Sequence, residues 1–218
     1  MYDLLKKNSA FFFPYLLFLL IATSCLTLWG RNDISLFING HNSFATDFFF
    51  KYWTDVGLGY LILPVAFVLA FINFRYMIMS VACFLVAFGI NDSIKFALHA
   101  PRPSTVFGHL HQVFYHVPGV DVYTWDSFPS GHTAISFGIF CLLALVSTKD
   151  SSKFLFFLCA FLVGYSRIYL AEHFITDVIA ASLIGVSSAI FTYSIFTHSK
   201  AINKFASIDK PLIRLGSK

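Results

Sequence analysis

Residues 153–197 read KFLFFLCAFLVGYSRIYLAEHFITDVIAASLIGVSSAIFTYSIFT, and this stretch decides the fold class. It contains two apolar segments, 153–170 and 174–197, which are separated by only three residues. A helix needs about 20 mostly apolar residues to cross the hydrocarbon core of a membrane. We therefore predict two consecutive membrane-spanning helices that are joined by a tight turn.

The rest of the chain repeats this pattern. Four further apolar stretches lie at residues 10–29, 57–73, 76–97 and 130–147. The first of them follows Lys6 and Lys7, as in a signal peptide, but its length favours a retained membrane helix. The prediction is an all-α polytopic membrane bundle of six transmembrane helices, which forms a single domain over residues 1–218.

The composition supports a membrane protein and excludes several other classes. Of the 218 residues, 57% are hydrophobic and only 12% are charged, and the mean hydropathy is +0.73. A soluble domain averages about 25% charged residues, so an intrinsically disordered chain, a coiled coil and an ordinary cytosolic enzyme are excluded. The four cysteines fall inside apolar stretches without paired spacing, which predicts small core residues rather than disulfides or a zinc site.

The distribution of charge predicts the orientation in the membrane. If the N-terminus is inside, ten of the fifteen basic residues lie on the cytoplasmic side, as the positive-inside rule requires. Eight of the eleven acidic residues and seven of the eight histidines then lie on the outer side. We therefore predict that both termini are cytoplasmic and that titratable chemistry gathers at the outer face. The outer segments 30–56 and 98–129 are expected to be long loops.

Three short polar segments stand at the predicted ends of spans on that outer face. They are KFALHAPRP (95–103), PSGH (129–132) and SRIYLAEHFITD (166–177). Ionisable residues this close to a bilayer are costly, so they are functional candidates by default. Lys95, Arg102 and Arg167 would place three cations around one point, which suits a phosphate dianion better than a neutral ligand.

The other polar residues of these segments can complete a phosphoryl-transfer site. Ser130 is a good helix N-cap, and Gly131 lets the backbone of a helix start approach an anion closely. His173 and Asp177 are four residues apart and share a helix face, so the carboxylate can orient the ring of a nucleophilic histidine. His132 is then available to protonate the leaving oxygen.

At these positions the chain resembles the type 2 phosphatidic acid phosphatase superfamily of membrane lipid phosphatases. The pattern of that family is K-x6-RP, then PSGH, then SR-x5-H-x3-D, and every spacing is kept over residues 95–177. The resemblance implies that His173 forms a phosphohistidine, that Asp177 orients it, and that His132 protonates the leaving group and then activates water. It also implies a reaction without metal or other cofactor, in which the phosphoryl oxygens are bound by Lys95, Arg102, Ser130, Gly131 and Arg167.

The resemblance further implies a lipid phosphatase in a bacterial inner membrane, with its active site facing the periplasm or exterior. Expected substrates are undecaprenyl diphosphate, phosphatidylglycerol phosphate, phosphatidic acid and lipid A phosphates, and undecaprenyl diphosphate or another envelope lipid is favoured. The expected partners are this lipid and the surrounding membrane lipids, with no nucleic acid and no obligate protein partner.

Two alternatives to a lipid phosphatase remain open, and a third is disfavoured. A lipid phosphotransferase of the same family would pass the phosphoryl group to an acceptor hydroxyl, and a non-catalytic phospholipid carrier would keep the binding site alone. A vanadium haloperoxidase shares the anion-binding motif, but six spans argue against it because those enzymes are soluble and much larger.

Two features near the outer face have competing interpretations. His109, His111 and His116 could hold a metal, but a solvated or headgroup-facing loop is favoured because no cysteine or acid completes a ligand set nearby. Asp92 lies three residues before Lys95 and could keep that lysine charged, or it could form a plain salt bridge.

Overall fold

The computed structural model describes residues 2–111, 114–204 and 206–211, and within these residues the regular structure is entirely helical. The α-helices of this part of the chain are α1 (Tyr2–Lys7), α2 (Ser9–Gly40), α3 (Phe44–Trp53), α4 (Ile62–Ile72), α5 (Phe74–Leu98), α6 (Pro103–His109), α7 (Gly131–Val146), α8 (Asp150–Tyr169), α9 (Ile175–His198) and α10 (Lys200–Asn203). Short 3-10 turns occupy Thr54–Gly57, Gly59–Leu61 and Ala206–Asp209. The all-α prediction is confirmed.

Most of each predicted apolar stretch is helical, but the helices differ in length. Four helical segments of the described chain are long and apolar enough to cross a membrane: α2, the segment that contains α5 and α6, α8, and α9. α3 and α4, with the turns between them, form a pair bent by 60°, which is a fifth span if the pair crosses once. α7 has 16 residues, or about 24 Å, against about 30 Å of hydrocarbon. The count of six spans therefore stays a prediction.

The expectation of a long loop over residues 30–56 was wrong. α2 bends at Gly30 instead of ending there, because the φ of +80° at this position is accessible to glycine. α3 then begins at a capping box, in which Ser43 and Thr46 bond to each other's backbone amides. The second predicted loop, 98–129, contains only the short helix α6 among its described residues.

α7 lies at the centre of the bundle, which accounts for its short length. All residues from 133 to 142 are buried, on every side of the helix, by the packing of α5, α8, α9 and α2 around it. Phe137 packs against the rings of Tyr15 and Phe18 of α2 at centroid distances of 5.6 and 6.0 Å. Because α7 is covered by protein, it needs no full-length lipid-facing surface.

The bundle has two ends with different polar contacts. The starts of α2, α5 and α8 meet the end of α9 at what we call the terminal end, and the opposite side, where α8 gives way to α9, is the site end. At the terminal end, Arg75 pairs with Asp209 at 2.5 and 2.9 Å and donates to the Phe196 carbonyl at 2.5 Å. Lys153 donates there to the Lys7 carbonyl at 2.8 Å.

Candidate active site

The three polar segments that the sequence singled out meet at the site end. Lys95 lies in the last turn of α5, and Arg102 is the residue before α6. His132 lies in the first turn of α7. The charges of Lys95, Arg102 and Arg167, together with His173, all act on the imidazole of His132. The fold therefore brings these predicted residues within electrostatic range of His132.

A tight turn between α8 and α9 places His173 beside Arg167. Ala171 has a φ of +63°, which reverses the chain at the end of α8. The amides of Glu172 and His173 then both donate to the Arg167 carbonyl, at 3.0 and 3.1 Å. These bonds satisfy the end of α8 and fix the backbone of His173 next to the buried guanidinium of Arg167.

His173 and Asp177 form a buried pair. His173 is 2% exposed, and its Nδ1 lies 3.5 Å from Oδ2 of Asp177, which is longer than an ordinary hydrogen bond. The carboxylate is itself held in place, because it accepts from Ser127 Oγ at 2.6 Å and from the Phe174 amide at 3.0 Å. Asp177 thus faces Nδ1 of His173, which leaves Nε2 as the ring nitrogen that can face a substrate.

The surroundings of His173 favour its neutral form. Burial lowers the pKa of His173 below its ordinary value of 6.5, because the charged ring loses its hydration. Asp177 opposes this shift, while the positive charges of Arg167 and Arg102 add to it. The imidazole therefore keeps a lone pair at neutral pH, as a nucleophile requires.

The two predicted phosphate-binding arginines meet at a carboxylate that the sequence argument did not single out. Glu172 Oε2 pairs with Nη1 of Arg102 and lies 3.6 Å from Nη2 of Arg167. Burial raises the pKa of Glu172, and both arginines oppose that rise. Lys95 is half-buried and has no ion pair within 4.0 Å in the described part of the chain.

The start of α7 differs in detail from the predicted capping. Ser130 occupies the N-cap position, but its side chain makes no capping bond and instead accepts from Thr133 Oγ1 at 3.0 Å. Its amide donates to the Asp177 carbonyl at 3.3 Å, which ties α7 to α9. A methyl group on Gly131 would meet only Asn91 Nδ2, at 3.7 Å. The backbone at Gly131 is therefore open to a close approach by an anion.

A turn within the segment expected to be a loop supports Arg167. Arg167 donates to Thr54 Oγ1 at 2.6 Å, while its Nε is buried without a hydrogen-bond partner. The turn can pack this closely because Gly57 has no side chain: an added Cβ would lie 2.6 Å from Val163 Cγ1 and 2.9 Å from His132 Cβ. No local signal identified Thr54 or Gly57 in the sequence.

The structure bears on the two open interpretations, a metal site in the histidine-containing segment and a pairing of Asp92 with Lys95. In the described ranges, no cluster of three or more histidine, cysteine or acidic side chains is placed to hold a metal ion. Asp92 lines a small opening together with Lys95, His99 and Asp126, close enough for its charge to act on the lysine, but among the described residues the two form no ion pair within 4.0 Å. His99 instead pairs with Asp126 at 2.7 Å.

Comparison with protein families identifies the chain. The PAP2 superfamily model matches residues 75–201, which is more than half of the chain. The Bacitracin transport permease protein BcrC of Bacillus licheniformis is 33% identical over 162 residues, covering 66% of this chain and 77% of BcrC. A lipid A 1-phosphatase of Rhizobium johnstonii is 28% identical over 123 residues, and these are 56% of this chain but only 48% of that relative.

Solved structures share the fold. Aquifex aeolicus LpxE superposes with a TM-score of 0.67 at 29% identity, over 75% of this chain and 94% of LpxE. A transmembrane PAP2-type phosphatidylglycerolphosphate phosphatase of Bacillus subtilis superposes with a TM-score of 0.65 at 21% identity, over 89% of this chain and 98% of that structure. With its several long apolar helices, the chain is an integral membrane protein and belongs to the PAP2 superfamily, as its motifs predicted.

Proposed function

We propose that this protein is a metal-independent lipid phosphatase that works through a phosphohistidine. The observation that carries the proposal is the buried pair of His173 and Asp177, with the paired guanidiniums of Arg102 and Arg167 beside it. A neutral histidine next to two fixed cations suits attack on a phosphate ester, because the cations stabilise the negative charge of the transition state.

The reaction runs in two steps. In the first, His173 Nε2 attacks phosphorus and the bond to the leaving oxygen breaks, while protonated His132 donates its proton to that oxygen. The leaving oxygen belongs to the lipid alcohol in a monoester and to the lipid phosphate in a diphosphate. In the second, His132 takes a proton from water, the water oxygen attacks phosphorus, and the N–P bond breaks to release inorganic phosphate. Asp177 keeps the ring of His173 oriented, and the phosphoryl oxygens are bound by Lys95, Arg102, Ser130, Gly131 and Arg167.

The membrane helices and the relatives support a lipid phosphate as the substrate class. Two of the similar proteins are named as phosphatases of lipid A and of phosphatidylglycerolphosphate, and both compounds carry their phosphate on a lipid. We propose a phosphate monoester or diphosphate of an envelope lipid as the substrate, with undecaprenyl diphosphate, phosphatidylglycerol phosphate, phosphatidic acid and lipid A phosphates as the candidates.

The first experiment measures inorganic phosphate released by the purified protein in detergent, with excess chelator, from each of these lipids. We expect release despite the chelator, from one lipid most strongly. Transfer of the phosphoryl group to an acceptor lipid, with little phosphate in solution, would replace the hydrolase by a phosphotransferase. Full-rate lipid transport by a His173→Ala variant would favour a carrier, a role that the transport name of BcrC makes worth measuring.

The proposed topology is a single domain over residues 1–218 with six spans, both termini cytoplasmic and the site end on the periplasmic or exterior side of a bacterial inner membrane. Single cysteines placed at exposed Val122, near the site end, and at Lys149, near the terminal end, test this. We expect a membrane-impermeant maleimide to label intact cells at position 122 only, whereas labelling at 149 only would reverse the orientation.

A further inference from the structure

Glu172 is an unusual residue for a phosphate site. It immediately precedes the proposed nucleophile His173, it is 4% exposed, and its carboxylate lies between the guanidiniums of Arg102 and Arg167. A buried carboxylate is costly unless it is paired, and here the two arginines provide the pairing. The carboxylate therefore contacts the two guanidiniums that are expected to hold the phosphoryl oxygens.

Each arginine also has an anchor that does not depend on Glu172. Arg102 Nε donates to the Trp125 carbonyl at 2.8 Å, and Arg167 Nη1 donates to Thr54 at 2.6 Å. These bonds engage one nitrogen of each guanidinium. The nitrogens that face Glu172 are others, Nη1 of Arg102 and Nη2 of Arg167. Glu172 thus adds a shared negative charge that aligns the guanidinium nitrogens that these anchors leave over.

A carboxylate and a phosphoryl group use the same guanidinium donors in the same way. A phosphate dianion bound between the two arginines would lie next to the Glu172 carboxylate, and two like charges at this distance repel each other strongly in a buried site. The pocket therefore contains an internal competitor for the anion that it is built to bind.

On the basis of the proposed function, we infer that Glu172 is a positioning residue that aligns Arg102 and Arg167 and competes with inorganic phosphate for them. The competition weakens the hold on the product. As phosphate leaves, the carboxylate takes up the guanidinium donors again, so the two cations are never left unpaired in the protein interior. Product release limits turnover in many enzymes, and this arrangement speeds that step.

The test replaces Glu172 by glutamine, which keeps the shape and removes the charge. Binding of inorganic phosphate is measured by titration calorimetry in detergent, in a His173→Ala background that cannot turn over substrate. We expect Glu172→Gln to bind phosphate at least ~10-fold more tightly. In the active background, inhibition by phosphate should strengthen to the same extent, with kcat reduced and KM lowered.

Two further variants act as controls. Glu172→Asp keeps the charge but withdraws it by one methylene, so its phosphate affinity should lie between those of the wild type and the glutamine variant. Asp33→Asn removes a charge from an exposed position of α2 that forms no ion pair within the described residues, and should leave phosphate binding unchanged. Should Glu172→Gln fail to fold, tighter binding by Glu172→Asp than by wild type still supports the inference, and equal or weaker binding overturns it.

The outcomes separate this inference from the proposed function. If Glu172→Gln binds phosphate no more tightly, and loses kcat together with thermal stability, the residue is merely structural and the inference is wrong. If wild-type protein hydrolyses no lipid phosphate but Glu172→Gln still binds phosphate more tightly, the competition holds and the hydrolase proposal fails.

Discussion

The two ends of the bundle bury cations in opposite ways. At the terminal end, Arg75 and Lys153 are buried, and their nitrogens reach carboxylates and backbone carbonyls at 2.5–3.1 Å. At the site end, Arg167 is equally buried, but its Nε has no partner, and neither has Nδ1 of His173 within hydrogen-bond geometry. Buried polar groups are normally satisfied. Asn8 Oδ1 at the terminal end is unsatisfied as well, so within the described residues it is the buried cations, and not all polar atoms, that distinguish the end that we propose binds a ligand.

The largest effect should come from the nucleophile. His173→Ala should lower phosphate release from the preferred lipid by more than ~10³-fold, or about 4 kcal/mol of barrier, because the proposed phosphohistidine cannot form. The matched control is His198→Ala at the terminal end of α9, where the ring is exposed and activity should not change. More than about a tenth of wild-type activity in His173→Ala, under ~1.4 kcal/mol, would refute the nucleophile assignment.

The next largest loss of activity should come from replacing Arg167, the buried cation at the site end. Arg167→Met keeps volume and helix propensity but removes the guanidinium that we propose binds the phosphoryl group. We expect kcat/KM to fall about 10²–10³-fold, as when one donor to a transition-state oxyanion is lost. The amount of folded, monodisperse protein after heating should change little, because Glu172 still pairs with Arg102. A large loss of stability with little loss of turnover would contradict the distinction between the two ends.

The same substitution at the terminal end should have the reverse result. Arg75→Met removes the bonds to Asp209 and to the Phe196 carbonyl, which should cost about 1–3 kcal/mol of stability. Turnover per folded molecule should stay within about two-fold of wild type, because no step of the reaction uses this residue. Heating followed by size-exclusion chromatography measures the first quantity, and phosphate release per folded protein measures the second. An activity loss as large as that of Arg167→Met would show that the two ends do not differ in function as we propose.

A smaller effect is expected at the support of Arg167. Thr54→Val keeps the shape of the side chain and removes the 2.6 Å bond to the guanidinium. We expect kcat/KM to fall about five-fold, or about 1 kcal/mol, because Arg167 remains but is less firmly oriented. Thr23→Val removes an exposed intrahelical bond in α2 and serves as the control. Equal activities of the two variants would show that the turn at Thr54 does not position the arginine.

The family and the helical fold could be predicted because their signals are local. Apolar runs of about 20 residues predict membrane helices without knowledge of their packing, and the spacing from Lys95 to Asp177 identified the superfamily. The loop expected over residues 30–56 was wrong because a helix that bends at Gly30 and restarts at Ser43 looks polar and irregular in sequence. The positions of these helices depend on packing against α8, and the local sequence pattern does not encode that packing.

The partners of the site residues could not be predicted, because they come from segments distant in the chain. Thr54 reaches Arg167 across 113 positions, and Ser127 reaches Asp177 across 50. Glu172 did carry a signal, since an acid between two apolar stretches is costly near a bilayer. Its role as the shared partner of Arg102 and Arg167 became visible only once the fold had placed the two arginines together.

The smallest effect at neutral pH is expected for the pKa of His173. Burial and the nearby arginines lower its pKa below 6.5, so the ring stays neutral when the pH falls from 7 to 6.5 and becomes protonated only in more acidic solution. Asp177 opposes this shift, so Asp177→Asn should lower the pKa further. NMR titration of ¹³C-labelled histidine in detergent, with His173→Ala for assignment, measures both values free of substrate ionisation. A pKa above 6.5 would mean that the carboxylate holds His173 in its charged form, and a rise in Asp177→Asn would mean that Asp177 does not stabilise the charged ring. Either result would contradict the neutral, carboxylate-oriented nucleophile.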